Sequence, residues 1–107
     1  MFDEHYQNKN LKLDYAGYGE YLIDDKPNEE IGGAHYIFKF ENNLGASVIK
    51  HVGSYGFSED LWELAAIKFK DDDDWDLCHI TEIDVDIEGS LTDEAVRNLL
   101  ERIKNAA

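Results

Sequence analysis

The chain has 107 residues, 43% of them hydrophobic, and 24 acidic side chains against 10 basic ones, for a net charge of −14. That length accommodates one domain, residues 1–107, with one modest core, and the hydrophobic content is too high for a disordered acidic tail. The charge opposes direct binding to nucleic acid or to an anionic membrane and favours basic proteins or cations.

The charge is unevenly placed. Residues 1–53 carry 9 acids and 5 bases (−4), residues 54–107 carry 15 acids and 5 bases (−10), and no Lys or Arg occurs between Asp71 and Val96. No apolar run reaches the roughly 20 residues that span a bilayer. The opening "MFDEHYQNKN" lacks the basic and apolar regions of a signal peptide. The lone Cys78 has no partner for an internal disulfide. A cytoplasmic protein with no membrane contact is the expectation.

Residues 1–10 read as a loose terminus. Leu11, Leu13 and Tyr15 alternate briefly before the bend-forming Gly17 and Gly19. Residues 24–33, with the only proline, read as a loop. "AHYIFKFE" then alternates Tyr36, Phe38 and Phe40 against His35, Ile37 and Lys39, and "ASVIKHV" (46–52) is again strand-like. Matching the aromatic parity to Ala46 and Val48 predicts a hairpin with a three-residue loop near Asn43. "LWELAAIKFK" and "WDLCHI", joined by the aspartates, read as a second hairpin, although Ser58, Glu59 and Asp60 could also open a helix. Thr92 is a good N-cap, and Asp93 and Glu94 suit the positive helix start. Val96, Leu99, Leu100 and Ile103 make one apolar stripe. The expected fold is α+β: an antiparallel sheet of about four strands with one C-terminal helix packed on a face.

Between them lies "ITEIDVDIEG", where Ile83, Val85 and Ile87 fall on one parity and Glu82, Asp84, Asp86 and Glu88 on the other. Read as a strand, it buries the first set and lines up four carboxylates at about 6.6 Å intervals, roughly 20 Å in all. Such a row repels itself unless a partner neutralises it; the plain alternative is a solvated edge that blocks aggregation.

Catalytic and metal motifs are weak. Asp71, Asp73 and Glu82 fit positions 1, 3 and 12 of a calcium loop, but Asp76 stands where the sharp turn needs glycine. Cys78 and His79 are adjacent, so a strand would point them to opposite faces. "GYG" and "GSYG" lack the lysine and spacing of a phosphate loop. No enzyme activity, metal or cofactor is expected.

"LGASVIKHVGSYG", "LWELAAIKF", "DLCHIT" and "GSLTDEAVRNLLERI" together resemble a recurrent type of small acidic accessory protein encoded by phages and prophages of Gram-positive bacteria. The resemblance covers about residues 36–104. The stretch at 80–89 replaces a segment that reads as a loop in that type, so strand and loop both stand open there. The resemblance implies a mobile-element role inside a bacterial cell, in a setting that includes inhibitors of host defence such as anti-CRISPR proteins and DNA mimics. The resulting expectation is an inhibitory binding protein that blocks the basic nucleic-acid-binding site of a defence nuclease such as Cas9. Its contacts would come from Asp71, Asp72, Asp73, Asp74, Asp76, Glu82, Asp84, Asp86 and Glu88, with Tyr55, Phe57 and Trp75 as apolar anchors. The alternatives are a phage accessory or structural protein that self-associates as a homodimer through a sheet edge, and a metal-dependent hydrolase.

Overall fold

The computed structural model describes residues 10–28, 33–72 and 74–106. Their elements run β1 (Leu22–Asn28), β2 (Gly33–Lys39), β3 (Leu44–His51), β4 (Trp62–Phe69), β5 (Trp75–Leu77), β6 (Ile87–Leu91) and α1 (Asp93–Lys104), with short 3-10 turns at Gly19–Tyr21 and Phe57–Glu59. The sheet is antiparallel in the order β1-β2-β3-β4-β5, and β6 also pairs with β4. The α+β architecture follows the sequence reading, but six strands replace about four. The expected 24–33 loop is corrected in its first half. Asp24 to Asn28 pair with β2, and Pro27 is accommodated because β1 is an edge strand. Residues 29–32 and 1–9 lie outside the described residues.

Alternation in β2 and β3 sets the register. Tyr36 pairs with Val48 and Phe38 with Ala46, as aromatic parity predicts. Glu41 to Asn43 close the hairpin, with Asn43 in the left-handed region (φ 65) that asparagine tolerates. Gly45 is needed for a different reason: a Cβ there would lie 2.0 Å from the Phe38 carbonyl oxygen and 2.9 Å from the Phe69 ring. The ambiguous "LWELAAIKFK" is strand β4. Trp62, Leu64 and Ala66 face one way, while Ala65, Ile67 and Phe69 face the other.

The first face carries the main core. Tyr36, Phe38, Phe40, Ala46, Val48, Trp62, Leu64 and Ala66 meet Val96, Leu99, Leu100 and Ile103 of α1. Burying each large helix side chain contributes about 1.5–3 kcal/mol. Thr92 caps the helix as expected, its hydroxyl accepting from the Ala95 N–H at 3.1 Å. The other end is held from the hairpin: Asn42 donates to the carbonyls of Ile103 and Ala106 at 2.9 and 3.0 Å. Leu11 to Tyr15, with their brief alternation, form no strand. The segment packs Leu13 into the core instead, and the Tyr36 hydroxyl accepts from Leu13 N–H (3.2 Å) and donates to Leu11 C=O (2.8 Å). Burial pushes the Tyr36 phenol up.

The second face bears a smaller cluster of Ile37, Ile67 and Phe69 with Trp75 packed beside it. Lys39 lies over the Phe69 ring at 5.3 Å.

Candidate functional site

The free side of β4 is shared by two short strands. β5 pairs along Ile67–Phe69 and β6 along Trp62–Ala65. They meet at Ala66, whose N–H donates to Asp86 C=O (2.7 Å) and whose C=O accepts from Cys78 N–H (3.0 Å). The chain between them must turn back, and it does so from Ile80 to Val85, which exchange backbone hydrogen bonds at 2.8 and 3.2 Å.

This geometry corrects the expected carboxylate row. Glu82 and Asp84 sit on a turn, Asp84 with φ 52, whereas Asp86 and Glu88 belong to the returning chain. The four carboxylates therefore share no strand face. The physical reason is that Ile80 and Val85 both reach the core (5% and 1% exposed), which an extended 80–88 segment cannot achieve given their opposite parity. The apolar set is corrected too: Val85 is buried and Ile83 half-buried, but Ile87 is 47% exposed.

The hairpin aspartates emerge at the β4–β5 turn. Asp71, Asp72, Asp74 and Asp76 are exposed; Asp73 lies outside the described residues. The Asp71 carboxylate accepts from Asp74 N–H at 2.9 Å, fixing the turn. Asp72 pairs with Lys39 (3.0 Å), Asp76 with Lys70 (2.7 Å) and Asp84 with His79 (2.9 Å). The hydrogen bond to Asp76 holds the Lys70 ammonium above its ordinary range. Glu82, Asp84 and Asp86 are exposed and Glu88 is half-buried.

The three aromatic candidates separate. Phe57 is 8% exposed and is core, and Trp75 is half-buried against Ile37, Ile67 and Phe69, so neither is an open anchor. Tyr55 is 69% exposed and stands clear of the core. Leu77 (61% exposed) joins it as an apolar group that sequence reasoning missed. Its signal was present in the strand parity of "WDL", since Leu77 pairs with Ile67 on the face opposite the helix.

For chemistry, the described residues offer little. No group of three or more His, Cys, Asp or Glu is placed to hold a metal among them. His35 is half-buried, its ring Nε2 2.7 Å from the Ser47 hydroxyl. Burial raises the Cys78 thiol, away from the thiolate a nucleophile requires. No described helix is long and apolar enough to cross a membrane.

Comparison with protein-family models, curated proteins and solved structures finds no match to this chain. The phage-type resemblance therefore rests on the sequence motifs alone.

Proposed function

We propose that the chain is a non-enzymatic inhibitory binding protein of phage or prophage origin, anti-CRISPR-like, that offers an acidic surface to the basic nucleic-acid-binding site of a defence nuclease such as Cas9. The observation that carries this reading is the exposure of Asp71, Asp72, Asp74, Asp76, Glu82, Asp84 and Asp86 in a stretch, 71–96, without a single Lys or Arg. Among these carboxylates Asp72 pairs with Lys39, Asp76 with Lys70 and Asp84 with His79. The net acidic charge of this exposed stretch attracts a basic groove and steers its approach. The motif resemblance supplies the biological setting.

The competing reading, self-association through a sheet edge, fits less well. Edge strand β1 carries Asp24, Asp25 and Pro27, the kinds of residue that discourage edge pairing.

The test is cleavage of target DNA by purified Cas9, loaded with guide RNA before or after addition of the protein. Inhibition that depends on order of addition and weakens with salt is the expected result. Undiminished cleavage at a large molar excess, with no binding by calorimetry, would remove the Cas9 assignment.

A further inference from the structure

Two exposed apolar side chains lie in register along β4, and a third sits beside them. Leu77 pairs with Ile67 and Ile87 with Ala65, and cross-strand partners project to the same face. The next position on that face is Glu63, whose carboxylate accepts from Tyr55 N–H at 2.9 Å. Tyr55 also rests on Gly89, two residues beyond Ile87 on the same side of β6: a Cβ on Gly89 would lie 2.5 Å from Tyr55 Cβ. Leu77 and Ile87 are therefore two β4 positions apart, about 6.6 Å, and Tyr55 is anchored at the next position, Glu63. They are 61%, 47% and 69% exposed.

Tyr55 is held rigidly. Its N–H is fixed by Glu63 and its C=O accepts from Ser90 N–H at 3.3 Å. Gly56 makes this closeness possible, since a Cβ there would meet Ser90 Cα at 2.7 Å, and φ +93 demands glycine. A tyrosine on a fixed backbone has only two side-chain torsions to order on contact, which suits an interface anchor.

We propose that Leu77, Ile87 and Tyr55 form the apolar strip on which the partner seats, the partner being a protein surface with an apolar centre rimmed by Lys and Arg. This rests on the acidic-inhibitor reading and names its contact surface. Charge selects the occupant. Glu63 continues the strip's face, and the crevice between Leu77 and Ile87 is lined by Cys78, His79 and Asp86. A second copy meets the same net charge of −14, whereas a basic rim is neutralised. Burying the strip excludes water and strengthens the flanking ion pairs.

The experiment uses purified Cas9 without guide RNA as the probe, with calorimetry at two salt concentrations and sedimentation of the free protein. Tyr55→Ala and the double variant Leu77→Ser, Ile87→Ser are compared with wild type, after thermal melts confirm unchanged folding. Because all three side chains are exposed, the folds should survive. Each variant should bind on the order of tenfold or more weaker, with the salt dependence of wild type retained. Wild-type binding with undiminished affinity in both variants overturns the strip and leaves the inhibitor reading intact. No wild-type binding overturns both. A wild-type dimer that the double variant abolishes also overturns the proposal, because the strip would then seat a second copy.

Discussion

Lys50 and Asp60 form an ion pair at 2.9 Å in which the lysine is 1% exposed and the aspartate 40%. Lys50 points to the helix side of β3, a position that parity assigns to the core. Its ammonium is satisfied there by Asp60, by Asn10 C=O at 2.7 Å and by the Trp62 ring at 4.3 Å. Asp60 in turn accepts from Asn10 N–H at 2.8 Å, so the pair fastens the N-terminal segment to the start of β4.

Neutralising this acid should leave a buried cation poorly paired. Asp60→Asn keeps the left-handed backbone (φ 62) that asparagine accepts, and so isolates the charge. We expect a loss of about 2–4 kcal/mol, short of a fully buried pair because Asp60 is partly solvated. Urea unfolding measures it; a change below about 0.5 kcal/mol would mean the ammonium is solvated after all. Lys50→Met should cost less, since it removes the group whose burial requires the partner.

Tyr18 provides a pH signature. Its phenol is pushed up to about 12 by burial and by the 2.7 Å hydrogen bond it donates to Glu101. That bond also holds the Glu101 carboxyl below the usual range. Because the folded value exceeds the unfolded one near 10, the contribution is complete below pH 10 and is lost as pH rises through about 12. Near-ultraviolet absorbance should show one tyrosine ionising late, and Glu101→Gln should bring it down. A titration unaltered by that substitution would mean burial alone sets the shift.

The first hairpin and the helix were legible because the core face imposes a period of 2 on Tyr36, Phe38 and Phe40 and on Ala46 and Val48, and a helical stripe on Val96 to Ile103. β4 read ambiguously because both of its faces are buried. β1 was hidden by its proline and its acids, acceptable because no described strand pairs along its outer side. The alternation from Glu82 to Glu88 misled for a different reason. A perfect strand pattern was interrupted by a turn whose requirement, Ile80 and Val85 facing one core, depends on distant residues of α1 and β4. Lys50 escaped notice because only tertiary packing supplies the carbonyl, carboxylate and indole ring that make a buried lysine tolerable.

Direct nucleic-acid binding should be absent. A net charge of −14 opposes it, and the Lys and Arg of the described residues are scattered singly rather than aligned in a stripe. A duplex gel shift at about 100 mM salt tests this. Retardation there would contradict the charge reading.

Sub-millimolar calcium or manganese should leave the melting temperature unchanged. A ligand bound only by the folded state at about 100 times its dissociation constant would add roughly 2.7 kcal/mol. A saturable increase that disappears with Asp71→Asn would instead revive a metal role for the β4–β5 turn.

Glu82→Gln, Asp84→Asn, Asp86→Asn and Glu88→Gln together remove four charges while preserving side-chain acceptors. Asparagine tolerates the φ of 52 at position 84 and can still accept from Ile87 N–H at position 86. Stability should therefore stay within about 0.5 kcal/mol of wild type. Their neighbours divide by burial: Val85→Ala should cost about 1–3 kcal/mol by opening a cavity, while Ile87→Ala should be close to neutral for folding. Binding should respond in the opposite way. The four-charge variant should associate more slowly with a basic nuclease, and its rate should depend less on salt, because long-range attraction steers the encounter. Reversing only Asp84 and Asp86 to lysine should weaken association further. Equal rates and equal salt slopes for the neutralised and wild-type proteins would show that these carboxylates merely solvate the turn, and the acidic-inhibitor reading would lose this part of its contact surface.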